Sequence, residues 1–134
     1  MVHQYISRRK FRTSAVAKPV GFRLLQANRG KAICTLKTGK RHVNTIGIVH
    51  GGILCDLSDA AMGFAFLSLL LPHQMGVTVE FKINFLIPVR PPERLKAIAK
   101  TLSRGKSLYY LECEVRNRKY CLVAKAACTC KVAK

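Results

Sequence analysis

Hydrophobic and polar residues alternate along several short segments of this chain, and a period of two residues predicts β-strands. Two strands are predicted at residues 20–28 and 31–38, with Asn28-Arg29-Gly30 as the turn between them. Four more are predicted nearer the C-terminus, at about residues 76–87, 93–104, 106–116 and 120–132. The links between the last strands have hairpin length, so we expect antiparallel pairing.

The strand predicted at residues 76–87 has the clearest alternation. One face is expected to carry Val77, Val79, Phe81, Ile83, Phe85 and Ile87. The other is expected to carry Thr78, Glu80, Lys82 and Asn84.

Between the two groups of strands lies a long segment with a different pattern, residues 50–71, which Pro72 ends. It is rich in Leu and Ala, and apolar residues lie nearly all round it, which predicts a buried central helix. The simplest packing of two strands, one helix and four strands is an α+β fold. In it, one curved antiparallel sheet wraps the helix.

The chain's 134 residues predict one domain, which we place at residues 14–134 behind a basic N-terminal arm at residues 1–13. A hydrophobic content of 49% argues against a disordered chain. No apolar run reaches the roughly 18 residues that a membrane-spanning helix needs. The N-terminus has no apolar signal segment, so a cytoplasmic protein is expected.

The chain is strongly basic, with 24 Lys and Arg against 6 Asp and Glu and a net charge of +18. The charge is uneven, because residues 42–81 contain no Lys or Arg at all. Such an excess is compatible with a nucleic acid, with a phosphate-bearing ligand or with a well-solvated surface. No nucleic-acid-binding motif is present, so a nucleic-acid partner is not expected and a solvated surface is favoured.

The six cysteines are expected to be reduced thiols that fill small apolar spaces. Cys128 and Cys130 are two residues apart on a predicted strand and so share a face. No second Cys pair or Cys-His set accompanies them at ligand spacing, so no metal site is expected.

A motif surrounds the start of the predicted helix: Asn44-Thr-Ile-Gly47-Ile-Val-His50-Gly51-Gly52, with Asp59 nine residues after His50. Two further segments accompany it, Gly76-Val-Thr78-Val-Glu and Asn84-Phe85-Leu-Ile-Pro88. Together with the strand order, these residues resemble the hotdog fold of the 4-hydroxybenzoyl-CoA thioesterase superfamily, in its PaaI-like branch. The resemblance covers about residues 16–132. Residues 1–13 and the glycine-free hairpin at Asn117-Arg118-Lys119 depart from the family pattern.

The resemblance implies an enzyme that hydrolyses acyl-CoA thioesters without a metal or prosthetic group. Carried over by position, Asp59 is the catalytic carboxylate and Asn44 helps to place the water or substrate. His50 and Gly51 surround the thioester carbonyl, and Thr78 supports the carboxylate. The family forms homodimers, often paired into homotetramers.

Elementary chemistry agrees with these assignments. A helix that begins near His50 leaves its first amides unpaired at the positive end of its dipole, and glycine there lets a carbonyl oxygen approach. An ionised Asp59 in an apolar helix is costly, which fits a functional carboxylate in a dry cleft. It would act as base or as nucleophile, and the sequence leaves both open. Asp56 is assigned to structural work, His50 to orientation by hydrogen bonding and His42 to a loop.

The spacing along the helix adds a geometric expectation. Gly51 and Asp59 are eight residues apart, or about 12 Å at roughly 1.5 Å per residue. One thioester carbon cannot contact both in the same chain. If both act, the active site lies across a two-fold interface.

Coenzyme A carries phosphates, so cationic and hydroxyl side chains are expected at the mouth of the site. The candidates are Arg104, Lys106 and Ser107 at one hairpin, with Arg90 as the alternative. Each of these side chains is more often a solvated turn residue. The acyl pocket is expected among Met62, Phe64, Phe66 and Leu residues whose positions the sequence does not give.

Two other functions stay open at this point. A non-catalytic hotdog module that binds acyl-CoA as an effector has no evident reason to keep Asp59 in a dry cleft. Hydration or dehydration of an acyl thioester typically uses a His–Asp or His–Glu arrangement elsewhere in the fold, and none is evident.

Overall fold

The computed structural model of the protein describes residues 14–133. The basic arm expected at residues 1–13 lies outside the described residues, as does residue 134, and the domain boundary between arm and fold stays a prediction. These residues form two α-helices, α1 (Ala17–Val20) and α2 (Gly51–Leu67), and one turn of 3-10 helix at Lys40–His42. The strands are β1 (Arg23–Asn28), β2 (Lys31–Lys37), β3 (Met75–Phe85), β4 (Arg94–Arg104), β5 (Leu108–Arg116) and β6 (Leu122–Ala133).

The six strands form one sheet in the order β1-β2-β4-β5-β6-β3, and every pair is antiparallel. Helix α2 packs against this sheet and supplies much of the core. The α+β expectation of one long helix wrapped by a curved antiparallel sheet is therefore confirmed. Each predicted strand is present, with ends that shift by up to three residues.

Helix α2 is buried along one face only. The buried residues recur at intervals of three and one, the period of one helical face: Leu54, Leu57, Ser58, Ala61, Met62, Ala65 and Phe66. On the opposite face Asp56 and Asp59 are exposed, and Gly63 and Phe64 are partly exposed. The prediction of a helix buried all round is wrong, because the sheet covers one side and leaves a side with two carboxylates open.

The ends of two helices differ from the sequence prediction for local reasons. Helix α2 ends at Leu67, four residues early. There the Ser68 hydroxyl donates to the Ala65 carbonyl over 2.7 Å and accepts from the Gly30 N–H at 2.8 Å, which ties the helix end to the β1–β2 turn. The short helix α1 replaces the start of the first predicted strand. It ends where Gly21 adopts a positive φ of 94°.

A β-bulge in β3 changes which side chains face the helix. The register of β3 with β6 shifts between Thr78 and Glu80, so Val79 is an extra residue. Before the bulge Thr78 points towards helix α2, and after it Phe81 and Ile83 pack against the core. Val77 and Val79 instead remain 58% and 53% exposed. The prediction that all the alternate apolar residues share one face is therefore wrong, since a bulge reverses the alternation.

Candidate active site

Helix α2 begins at the residues that the sequence motif singles out. His50 is the N-cap, and its Nδ1 accepts a hydrogen bond from the Gly52 N–H at 2.9 Å. Because Nδ1 accepts, the proton of the neutral ring lies on Nε2, which can donate to a ligand. The Ile53 N–H makes the first backbone bond of the helix, to the His50 carbonyl at 2.9 Å.

The Gly51 amide is the group left over at this helix end. Within residues 14–133 its N–H has no hydrogen-bond acceptor, whereas the two amides that follow are satisfied. A Cβ at Gly51 would lie 2.9 Å from the edge of the Phe85 ring, so glycine lets this aromatic side chain cover the helix start. An unpaired N–H at the positive end of a 17-residue helix is suited to polarise a carbonyl oxygen.

Asn44 shapes the loop that leads into the helix. Its side-chain Oδ1 accepts hydrogen bonds from the Ile46 and Ile48 N–H groups at 3.0 and 3.2 Å. The Asn44 backbone N–H donates to the Ile48 carbonyl at 2.8 Å. The oxygen of Asn44 is thus used within the loop, and only its NH₂ group is left to contact water or a substrate.

His42 is a buried residue of this loop. Its Nδ1 accepts from the Gly39 N–H at 2.9 Å, so its Nε2–H donates to the Val20 carbonyl at 2.6 Å. The His42 carbonyl also accepts the His50 N–H at 2.8 Å. His42 is a loop histidine, as expected, but a structural one that holds the helix start against α1.

Asp59 lies two turns further along α2 and contacts β3. The Thr78 hydroxyl donates to Asp59 Oδ1 over 2.9 Å. The bulge after Thr78 turns this hydroxyl towards the helix. The structure thus brings together two of the predicted site residues, one from the helix and one from the edge strand.

A thiol pair extends this contact and was not identified as part of the site from the sequence. Cys130 Sγ is 3.8 Å from Thr78 Oγ1, and Cys128 Sγ is 3.7 Å from Cys130 Sγ. The Thr78 hydroxyl already donates its one proton to Asp59, so the Cys130 thiol is the donor in the contact between Cys130 and Thr78. Cys128-Thr-Cys130 was the available signal, since alternate residues of a strand share a face, but composition alone favoured filler.

Asp59 is open to solvent in the single chain, so residues 14–133 of one chain do not by themselves form the expected dry cleft. It lines two shallow grooves on the open face of α2, with cavity volumes of about 280 and 260 Å³. Nothing in residues 14–133 covers it, because the sheet packs on the other side of the helix. A dry environment at Asp59 would therefore need a second molecule.

The larger groove has an apolar wall next to the carboxylates. Its apolar lining includes Val16, Phe22, Phe64 and Leu67. Phe64 was predicted to line the acyl pocket and does line this groove. Met62 and Phe66 were predicted with it, but both are buried in the core, because they lie on the sheet-facing side of the helix.

Asp56 lies one helical turn before Asp59 and lines both grooves with it. Partial burial raises the pKa of Asp56 above its ordinary value, and the negative charge of Asp59 raises it further. The two carboxylates are therefore electrostatically coupled. In the described residues, Asp56 forms no ion pair.

The predicted phosphate contacts do not form one group in a single chain. Val89, next to Arg90, accepts the Val49 N–H at 2.8 Å, so Arg90 belongs to the region of the helix start. Arg104 is the last residue of β4, an 11-residue strand roughly 33 Å long, whereas Arg90 precedes the first residue of that strand. Its Nε donates to the Tyr109 hydroxyl at 3.0 Å and its NH2 to the Leu69 carbonyl at 3.3 Å.

Lys106 and Ser107 follow in the β4–β5 turn, where both are exposed. The Ser107 backbone holds the turn, because its carbonyl accepts the Val132 N–H at 2.8 Å. That contact does not use the Ser107 hydroxyl. Arg104 thus stabilises the end of helix α2, while these two side chains stay available to a ligand.

Residues 14–133 contain neither a metal-binding cluster nor a membrane-spanning helix. No group of three or more His, Cys, Asp or Glu side chains there could hold a metal ion. No helix among these residues has the length and hydropathy needed to cross a bilayer.

Comparison with known proteins identifies the family. The sequence profile of the thioesterase superfamily matches residues 46–122, which span α2, β3, β4 and β5. Human acyl-coenzyme A thioesterase 13 is 31% identical over 97 residues, which cover 71% of this chain and 67% of that protein.

Solved structures agree with this match. A conserved protein from Pseudomonas aeruginosa is 31% identical, with a TM-score of 0.85 over 90% of this chain and 95% of that one. The Escherichia coli PaaI protein is 26% identical, with a TM-score of 0.85 over 91% and 86% of the two chains. The motif around His50, the helix–sheet architecture and these matches agree: this chain belongs to the thioesterase superfamily, in its PaaI-like hotdog branch, and is a thioester hydrolase.

Proposed function

We propose that this enzyme hydrolyses an acyl-CoA thioester to the free acid and coenzyme A, with Asp59 as the catalytic carboxylate. The observation that carries the proposal is that helix α2 has a free Gly51 amide at its N-terminus and, two turns later, the Asp59 carboxylate, which Thr78 holds by a hydrogen bond. The name of the human relative, an acyl-coenzyme A thioesterase, supports the substrate class.

The proposed reaction begins with the thioester oxygen at the Gly51 N–H, where the helix dipole stabilises the negative charge that develops on it. With Asp59 as base, a water molecule adds to the carbonyl carbon and gives its proton to Asp59. The C–S bond then breaks, and the coenzyme A sulfur takes up a proton. With Asp59 as nucleophile, its oxygen bonds to the carbonyl carbon while the C–S bond breaks and coenzyme A leaves as a thiolate, which takes up a proton; water then cleaves the mixed anhydride to the free acid and Asp59.

We propose that the site is completed across a two-fold axis by a second copy of the chain. Gly51 and Asp59 occupy one unbroken helix, so they stay about 12 Å apart within a chain. Asp59 is exposed, and an approaching subunit would exclude water from it. Strand β3 is long enough to support such pairing, because it is an 11-residue edge strand that bonds only to β6 among the described strands. A homodimer, or a homotetramer built from two such dimers, follows.

The proposed substrate site has an apolar and a polar part. The acyl group would lie against Phe22, Phe64 and Leu67 in the groove beside Asp59. The His50 Nε2–H and the Asn44 NH₂ group would orient the thioester or the attacking water. Arg90 would meet the phosphates of coenzyme A at the helix start, and Lys106 and Ser107 would do so from the partner subunit. The reaction needs no cofactor, and a cytoplasmic location is part of this proposal.

A panel of acyl-CoA substrates, followed by release of the free thiol, tests the function. We expect turnover of at least one acyl or aryl class. If phosphate contacts bind the coenzyme, KM should rise with salt while kcat changes little. Tight acyl-CoA binding without thiol release for any member of the panel would contradict the proposal and favour the non-catalytic effector module.

A further inference from the structure

Another groove, distinct from the two at Asp59, lies on the outer face of the sheet. It has a volume of about 610 Å³ and extends over β1, β2 and β4 to the β5–β6 hairpin. Thr35 and Lys96 point into this face, because their neighbours Cys34 and Ala97 are fully buried on the helix side. The groove and the open face of helix α2 are therefore on opposite sides of the sheet.

The lining of this outer groove is cationic and contains no acidic residue. Five cations line it: Arg23, Lys37, Arg94, Lys96 and Arg118. None of the five forms an ion pair within residues 14–133. Beside the groove, the Glu93 carboxylate accepts the backbone N–H groups of Arg94 and Arg118 at 2.9 and 3.0 Å, and these bonds together with the charge of Arg118 lower the pKa of Glu93.

The register of the sheet places these charges close together. Lys37 lies directly opposite Arg94 across the β2–β4 pair. Arg23 of β1 and Lys96 of β4 both pair with Thr35 of β2, so one strand separates these two cations. Strands lie about 4.8 Å apart, so Arg23 and Lys96 start from backbone positions roughly 10 Å apart. Like charges directly opposite each other destabilise a sheet, and an anion between them would remove that cost.

One aromatic side chain stands at the rim of the groove. The Tyr120 side chain is 61% exposed, although its backbone has a positive φ of 65° that favours glycine. Arg116 holds it there, since its NH1 donates to the Tyr120 carbonyl at 3.0 Å and its guanidinium lies 4.7 Å from the ring centre. The glycine-free hairpin noted in the sequence thus presents an aromatic face beside the five cations.

Charge and size together indicate the occupant. A second copy of this chain would oppose cations to cations if it used the same face. A volume of about 610 Å³ is in the range of small-molecule sites rather than of a continuous track. We propose that the outer groove binds a nucleotide with two or more phosphates, its base on Tyr120 and its phosphates among the five cations. The site is separate from Asp59, so the proposal does not depend on the identity of the thioester.

Calorimetric titration of the full-length protein at fixed ionic strength tests this proposal with three probes: ATP, adenosine 3′,5′-bisphosphate and inorganic tripolyphosphate. We expect at least one nucleotide to bind more tightly than tripolyphosphate. Preference for ATP would indicate a nucleoside triphosphate, and preference for the bisphosphate would indicate a nucleotide that carries a separate 3′-phosphate. Either preference supports the site.

Variants locate the binding. Tyr120→Ala should weaken nucleotide binding about 5- to 100-fold, the range for one base stacked on an aromatic ring, and leave tripolyphosphate unchanged. Arg94→Gln combined with Lys96→Gln should weaken all three probes. Lys100→Gln, which removes a cation from the same strand outside the groove, is the matched control and should bind as the wild type does.

Three results would overturn the proposal. One is that no nucleotide binds more tightly than tripolyphosphate. Another is that the groove variants bind like the Lys100→Gln control. The third is that a single-stranded RNA binds with an affinity that rises steadily with its length and exceeds that of every nucleotide, which would indicate an extended nucleic-acid track.

Discussion

Thr78 donates its hydroxyl proton to Asp59 Oδ1 over 2.9 Å, and it reaches that oxygen because a β-bulge follows it in β3. The contact fixes one carboxylate oxygen and leaves the other to act on water or substrate. Thr78→Val keeps the shape of the side chain and removes the donor. A hydrogen bond to a charged group contributes about 1.5–3 kcal/mol, so we expect kcat/KM to fall about 10- to 100-fold.

Thr78→Ser is the matched control, because it retains the hydroxyl. Steady-state kinetics should show much of the wild-type activity in this variant. Equal activity in the Val and Ser variants would mean that the hydrogen bond has no part in catalysis.

The Gly51 amide can be removed without removing the helix. Proline is favoured at the first helical position, and His50 before it has φ −59° and ψ 136°, which a following proline accepts. Gly51→Pro should therefore fold, lack the N–H and lose about 10²–10³ in kcat.

Gly51→Ala controls for the added Cβ, which meets the exposed Phe85 ring in both variants. It keeps the N–H and should retain far more activity than the proline variant. Circular dichroism of both variants shows whether the helix is intact. If a folded Gly51→Pro enzyme were as active as Gly51→Ala, the amide would not be the group that polarises the carbonyl.

Asp56 predicts a pH-dependent stability. Its pKa is raised in the folded state by partial burial and by the charge of Asp59. Between the pKa of Asp56 in the unfolded chain and its higher pKa in the folded protein, the native state binds more protons than the unfolded state does. The stability contribution of Asp56 is therefore present at low pH. It is lost as pH rises through the folded pKa. Asp56→Asn removes this loss and should raise the free energy of unfolding at pH 7.

Urea denaturation at about pH 7 and about pH 3 measures the effect. The difference between Asp56→Asn and wild type should shrink at the lower pH, where the carboxyl group is protonated in both states. A variant that is less stable than wild type at pH 7 would contradict the coupling inferred for Asp56 and Asp59.

Complementation tests the shared site. Asp59→Asn and Gly51→Pro subunits should each be nearly inactive alone. A mixed dimer contains one site with both residues intact, so random mixing by co-expression should restore about a quarter of the wild-type sites. Active-site titration and thiol release measure the recovery. No recovery in mixtures that demonstrably contain mixed oligomers would place Gly51 and Asp59 in independent roles within each chain.

The features predicted from the sequence were those that depend on local pattern. The start of α2 at His50 follows from a motif within a few residues, and the order of helix and strands follows from periodicity and turn residues. The bulge at Val79 was not predictable, because an extra residue in a strand depends on the register with β6. The open face of α2 was not predictable either, because apolar residues such as Phe64 and Leu67 lie on it. Such residues resemble core in a sequence even when they line a groove.

Two further contacts could not be read from the sequence for the same reason. Cys130 resembled small apolar filler, and only the β3–β6 pairing places it beside Thr78. Arg104 resembled a phosphate contact, and only the tertiary fold shows its bonds to Tyr109 and to the carbonyl of Leu69.

Single-turnover hydrolysis by the Asp59→Asn variant is the decisive test of Asp59 as the catalytic carboxylate. The substitution keeps the size of the side chain and removes the charge that attacks or activates water. A positioned base contributes about 10²–10⁴ in rate, so the rate should fall by that order while the fold and oligomeric state are kept. Asp56→Asn, one helical turn away in the same groove, is the matched control and should lose far less. A folded Asp59→Asn enzyme with close to the wild-type rate, or an inactive Asp56→Asn enzyme beside an active Asp59→Asn one, would contradict the account.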